Sequence, residues 1–172
     1  MPGRAKTRLI PLLGPRGAAE LQSALILDTT RKVSKLARSA ARWLFLAGGA
    51  FPDFPDRNLW TVVQQRGRDL GERVERAFRQ VLRGHRAAVI VGTDSPLLSP
   101  RLMRLALAEL RVCDAVLGPC PDGGFYLVGL RRIVPGLFRG VRWSTCSNRG
   151  GHLGKRGRTS LVGWKGRLQG SY

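Results

Sequence analysis

The chain has 172 residues, enough for one domain that buries a core. Its formal net charge is +19, but arginines occur in every segment and aromatic residues do not alternate with them, which does not favour a nucleic-acid surface. No apolar run is long enough to span a bilayer and no signal sequence is apparent, so we expect a soluble, cytoplasmic protein. The three cysteines lack zinc-ligand spacing and are expected to be thiols.

Helix and strand patterns alternate along the chain up to residue 130. Apolar residues at helical spacing predict helices over 17–41, 70–82 and 100–111. Short apolar runs predict strands over 43–47, 59–63, 87–91, 115–118 and 125–130. This order predicts an α/β fold, a three-layer α/β/α sandwich with a mostly parallel sheet.

Asp94 follows the apolar run 87–91, which stops at Gly92. Open α/β sheets bind ligands beyond the carboxyl ends of their strands, so this carboxylate is a candidate site residue. Asp94 has a second interpretation as the N-cap of the helix that follows. The segment by itself supports the two interpretations equally.

A basic loop over 2–9 is a candidate phosphate site. Gly3 allows a close backbone approach, and Lys6 and Arg8 would contribute a point charge and a bidentate fork. The alternative is a frayed basic terminus.

The segment 65–73 contains a helix start. Asp69 with Glu72 three residues later is typical of an N-cap and its capping box, so we favour a structural role for Asp69. Gln65 could still line the rim of a site.

The turn 118–126 places Asp122 before Gly123 and Gly124, which permit a close approach of a ligand. A simple Asp-Gly hairpin turn is the alternative. If the strand ends meet, Asp94 and Asp122 could hold one divalent cation against a diphosphate.

The last segment, 146–172, has six basic residues, seven glycines and no acidic residue. It has no apolar period, so we expect a disordered or weakly ordered basic tail.

Five motifs follow one another along the chain: PGxxKTRL at 2–9, GxDLGxR at 67–73, GTDSP at 92–96, GPxxDGGFYLxGL at 118–130 and WST at 143–145. Together, in this order, they resemble those of a bacterial family of small GT-A-type transferases, the radical-SAM/selenodomain-associated transferases, once a domain of unknown function. That family is similar to the guanylyltransferases that activate phospholactate and the molybdenum cofactor. The resemblance covers roughly residues 2–145.

The resemblance implies a nucleotide-diphospho-sugar transferase domain over 1–145. Lys6 and Arg8 would match the nucleotide-phosphate loop, and Asp94 the aspartate that binds Mg²⁺ or Mn²⁺. Asp122, with Gly123 and Gly124, would match an acceptor-side or second-metal loop, and Trp143–Thr145 a motif at the same rim. Asp122 is also our candidate catalytic base.

The implied activity is glycosyl transfer from a nucleotide-sugar donor to a small-molecule acceptor. The alternative is a nucleotidyltransferase that acts on a phosphorylated small molecule. An inactive protein, or a basic protein that binds nucleic acid, is the alternative from another class.

The chain departs from the family pattern at both ends. Members begin with an apolar strand before the Pro-Gly loop, whereas Met1 stands directly before Pro2 here. Members continue past the Trp-Ser-Thr motif with an apolar helix and a strand, in place of the basic tail. We therefore hypothesise a truncated, frame-shifted member of the family.

Overall fold

A computed structural model of the chain describes residues 6–36, 40–48, 54, 56–96, 98–119, 125–135 and 137–138, and the backbone of 159–161. The helices are α1 (Ile10–Ser34), α2 (Leu70–Val81) and α3 (Pro100–Glu109), and the strands are β1 (Arg42–Leu46), β2 (Trp60–Gln64), β3 (Ala88–Val91), β4 (Ala115–Pro119), β5 (Phe125–Leu130) and β6 (Thr159–Leu161). In the part of the chain that the structure describes, no helix is long and apolar enough to cross a membrane.

The first helix begins earlier than its pattern predicts. Helical residues start at Ile10, and Gly14, with φ +68° and ψ 167°, interrupts the regular backbone before Pro15. A positive φ favours glycine, and proline removes a helical N–H, so this pair forms a kink. The Gly-Pro pair that predicts a helix boundary therefore lies inside α1.

The chain divides into two compact units. The first unit comprises 1–66 with 93–100, and the second comprises 67–92 with the chain from Arg101 onward. In the first unit β1 and β2 pair in parallel, from Arg42 opposite Trp60 to Leu46 opposite Gln64.

The second unit contains a four-stranded sheet in the order β3-β5-β4-β6. β5 runs antiparallel to β3 and to β4, whereas β6 runs parallel to β4. This sheet is therefore mixed, because β5 reverses direction between its neighbours. β6 lies within 146–172, the segment for which the sequence predicts a disordered or weakly ordered tail. The edge of β4 offers backbone groups with which a short extended segment can pair.

Packing in the second unit covers both faces of this sheet. On one face Phe78 of α2 is fully buried in a cluster with residues of β3, β4 and β5. Its ring stacks on Phe138 with 5.9 Å between centroids and 2° between planes. On the other face Leu110, directly after α3, packs on Gly129 of β5. The helices α2 and α3 thus flank the sheet, as a three-layer arrangement requires.

Asp69 caps α2 as predicted. Its Oδ1 accepts a hydrogen bond of 2.8 Å from the backbone N–H of Glu72. The Glu72 carboxylate bonds Arg68 rather than the cap residue: Oε2 accepts from the Arg68 backbone N–H at 3.0 Å and Oε1 from its Nε at 2.9 Å. These bonds lower the pKa of Glu72 to about 2.

Candidate functional site

The loop after β3, residues 93–96, is held by side chains from α1. Gln22 Nε2 donates to Thr93 Oγ1 at 3.2 Å. Lys32 Nζ donates to the backbone carbonyl of Pro96 and also pairs with Asp28 Oδ2 at 2.6 Å. All of these residues belong to the first unit. The loop that carries Asp94 is therefore fixed at both ends by one helix.

Within this loop Asp94 forms an ion pair with Lys6. The distance from Lys6 Nζ to Asp94 Oδ1 is 2.6 Å, and the Lys6 side chain is 20% exposed whereas that of Asp94 is 66% exposed. Thr93 Oγ1 approaches the same Oδ1 at 3.5 Å. Two of the residues selected from distant sequence motifs thus lie in direct contact.

Lys6 occupies an unusual backbone conformation. Its φ of 49° and ψ of 46° lie in the left-handed region, and its carbonyl accepts from the Leu9 N–H at 2.8 Å. This conformation costs a residue other than glycine about 1–2 kcal/mol. The short helical turn that follows, Thr7–Leu9, therefore holds Lys6 in a strained geometry that directs its ammonium group to Asp94.

Asp94 does not cap α3. That helix begins at Pro100, so Ser99 directly precedes it and the Asp94 carboxylate lies too far back along the chain to serve as its N-cap. Because Asp94 is not the N-cap, the other interpretation applies to this exposed carboxylate, that of a candidate site residue that acts through its charge.

The donor set suits a hard cation only in part. Asp94 presents carboxylate oxygens, the ligand type that Mg²⁺ prefers, and Mg²⁺ commonly takes one or two carboxylates with waters and substrate phosphates. Among the described residues, no group of three or more histidine, cysteine or acidic side chains could hold a metal ion. Asp94 would therefore supply only part of the ligands that such a cation needs.

Gln65 and Arg8 do not contact this pair. The Gln65 amide donates to the Phe45 carbonyl at 3.1 Å, and its backbone N–H donates to the Leu46 carbonyl at 2.7 Å, so Gln65 extends the pairing of β1 with β2. Arg8 lies in the turn after Lys6 and is exposed. Four of the predicted site residues, Gly3, Asp122, Gly123 and Gly124, and the motif Trp143–Thr145 lie outside the described residues.

The sequence reasoning missed the residues that support the loop. The sequence around Gln22 and Lys32 does not distinguish them from other polar residues on the surface of a helix. Thr93 was part of the GTDSP motif and could have been named from its place next to Asp94.

The fold is similar to a solved structure from Desulfovibrio desulfuricans G20, provisionally described as a nucleotide-diphospho-sugar transferase. The TM-score is 0.80 and the sequence identity 29%, over 94% of this chain and 74% of that chain. The predicted fold class is thereby confirmed. No curated protein shows significant similarity to the chain.

A family model supports the resemblance independently. It begins after the loop that carries Lys6 and Arg8, so it includes Asp94 and Asp122 but neither basic residue. The model is described as "Uncharacterized protein conserved in bacteria (DUF2064)" and matches residues 29–145, more than half of the chain, which therefore belongs to this family.

Proposed function

We propose that this protein is a transferase that takes a nucleotide-diphospho-sugar donor, with the donor phosphates bound beside Lys6 and Asp94. The observation that carries the proposal is the 2.6 Å contact between these two side chains. The similar protein from Desulfovibrio desulfuricans G20, described provisionally as a nucleotide-diphospho-sugar transferase, supports the same class of donor.

Positive charge at the amino end of the first unit would bind the donor. Lys6 contributes an ammonium group whose backbone is held in a left-handed conformation. Arg8, exposed two residues later, contributes a guanidinium fork suited to phosphate oxygens. Because the donor's diphosphate is an anion, both side chains would favour its binding and would stabilise the negative charge that builds up on the leaving group.

Asp94 would hold a divalent cation, Mg²⁺ or Mn²⁺, against the donor phosphates. Such a cation supplies positive charge that stabilises the departing phosphate group. In the free protein the Lys6 ammonium neutralises Asp94 instead. An ion pair with an exposed partner is worth only about 0–1 kcal/mol, so phosphate and cation can compete for the two groups.

Asp122 is the residue we propose for deprotonating the acceptor. Its support is the resemblance of the turn 118–126 to the acceptor-side loop of the family. An Asp122→Asn variant is therefore expected to bind donor as the wild type does and to lose transfer to the acceptor.

Calorimetry with a panel of nucleotide sugars, with and without Mn²⁺, tests the donor proposal. We expect Mn²⁺-dependent binding that Asp94→Asn abolishes and Lys6→Met weakens about tenfold or more, the loss of one charge-assisted contact. Asp56→Asn is the matched control, because Asp56 is an exposed carboxylate of the first unit and asparagine tolerates its φ of 60°. Unchanged affinity in Asp94→Asn contradicts the proposal.

The products distinguish the two transfer reactions. Glycosyl transfer releases a nucleoside diphosphate from the nucleotide sugar, whereas nucleotidyl transfer from a nucleoside triphosphate releases diphosphate. If diphosphate is released and no nucleoside diphosphate is formed, the protein is a nucleotidyltransferase and our proposal is wrong. Binding of polynucleotide alone, with steep salt dependence and no metal requirement, would replace it by a basic nucleic-acid-binding protein.

A further inference from the structure

A cluster of arginines lies in the second unit, at the end of α2. It forms a cleft of about 440 Å³, which we call the arginine cleft, lined by Arg79, Leu82, Arg83, Arg131, Arg132 and Ile133. Arg131 directly follows Leu130, which pairs with Ala88 at the amino end of β3. The chain leaves β3 toward Asp94 from the opposite end of this strand. The arginine cleft is formed by residues of the second unit, whereas Lys6 and Asp94 belong to the first.

Regular structure positions the arginines. Arg79 and Arg83 are four residues apart, and the Leu82 N–H donates to the Phe78 carbonyl at 2.9 Å, so the helical turn continues past α2 between them. Residues four apart lie on the same side of a helix. Arg131 and Arg132 follow β5, and the Arg131 N–H donates to the Asp114 carbonyl at 3.1 Å. The two pairs thus come from elements whose backbones are fixed by hydrogen bonds.

Carboxylates among the described residues form salt bridges with only two of the four arginines. Arg79 pairs with Glu75 at 2.6 Å, and Arg132 pairs with Asp114 at 3.3 Å. Arg131 Nη1 donates to the Arg111 carbonyl at 3.4 Å, a neutral partner. Among the residues that the structure describes, no carboxylate forms a salt bridge with Arg83 or Arg131. Within the described part of the chain, the guanidinium groups of Arg83 and Arg131 therefore line the cleft without a carboxylate partner.

We propose that the arginine cleft binds the phosphomonoester or diphosphate group of a small molecule, with Arg83 and Arg131 as its main contacts. Two uncompensated guanidinium groups match a doubly charged anion. Their planar forks donate paired hydrogen bonds to phosphate oxygens. The cleft has the volume of a small-ligand site, and Leu82 and Ile133 provide an apolar surface for the non-phosphate part of the ligand.

Calorimetric titration of the full chain with inorganic diphosphate tests this proposal, in metal-free buffer at fixed ionic strength. We expect binding that the double variant Arg83→Gln, Arg131→Gln weakens about tenfold or more. The control is the double variant Arg76→Gln, Arg101→Gln, which removes the same charge from positions of the second unit outside the cleft. Its affinity for diphosphate should equal that of the wild type. Arg83→Lys, Arg131→Lys should bind with intermediate affinity, since lysine keeps the charge and loses the fork.

Three results would overturn the proposal. The first is a wild type that does not bind diphosphate, and the second is an equal loss in both glutamine variants, which would indicate a general charge effect. The third is loss of metal-free diphosphate binding in Lys6→Met, which would assign the binding to the donor site. Unchanged binding in that variant supports a separate cleft, whatever the outcome for nucleotide sugars.

Discussion

Gly71, in the first turn of α2, lies against the backbone of Phe138. A Cβ atom at this position would stand 2.5 Å from the Phe138 carbonyl oxygen and 3.3 Å from Asp69 Oδ1. The first distance is too short for any real contact, and backbone atoms cannot turn aside as a side chain can. We therefore predict that Gly71→Ala destabilises the protein, although alanine is the better helix former.

The magnitude follows from two opposing terms. Alanine in place of glycine in a helix favours folding by about 0.5–1 kcal/mol. Overpacking that forces a backbone shift typically costs about 1–3 kcal/mol. The shift here must separate α2 from the segment of Phe138, whose ring stacks on Phe78 in the core. We expect a net loss of about 1–2 kcal/mol.

Thermal and urea unfolding followed by circular dichroism measures this loss. A chain of this size loses about 2–4 °C of melting temperature per kcal/mol. Gly84→Ala is the matched control, because within the described part of the chain no atom beyond its own chain neighbours lies within 4 Å of a Cβ at Gly84. Its stability should equal or exceed that of the wild type. A Gly71→Ala protein as stable as Gly84→Ala would refute the reasoning from close approach.

Three further predictions concern caps and charges. Asp69→Ala should cost about 1 kcal/mol in urea unfolding, because the Glu72 N–H loses its acceptor, and Asp69→Asn should restore most of it. Because the pKa of Glu72 is lowered in the folded protein, its ionised carboxylate stabilises the fold fully above about pH 4.5, and this stabilisation is lost as the pH falls toward 2. In thermal melts Glu72→Gln should therefore be less stable than the wild type at pH 7 and nearly equal to it near pH 2. An equal difference in stability at both pH values would contradict the role assigned to Glu72. A double-mutant cycle of Lys6→Met and Asp94→Asn should give a coupling free energy of about 0–1 kcal/mol in unfolding, since Asp94 is 66% exposed, and a much larger value would indicate a structural ion pair rather than a ligand site.

The sequence predicted helices and strands well where a capping residue or a glycine-rich turn marks their ends. The strand 125–130 has the predicted bounds, and α2 begins directly after its cap, Asp69. The start of α1 was missed because Gly14-Pro15 resembles helix punctuation, whereas the helical turns before it are joined across a kink.

Long-range features could not be derived in the same way. The apolar period of β5 is the same in either direction, so the pattern could not reveal that β5 runs antiparallel to both neighbours. Lys6 and Asp94 were each selected as candidates, but their direct contact depends on how the chain folds between them. The support of the loop by Gln22 likewise depends on the docking of α1.

The position of β5 between β3 and β4 sets an order of events during synthesis. In the described structure β3 and β4 do not pair with each other; β3 pairs with residues 125–130, and β4 pairs with the same residues and with β6. On the ribosome this sheet cannot assemble until Leu130 has left the exit tunnel, whereas β1 and β2 are complete once Gln64 has emerged. A nascent chain arrested before residue 125 would leave β3 and β4 without β5 and expose both apolar strands to chaperones and proteases, whereas one released after residue 130 can pair both strands with β5.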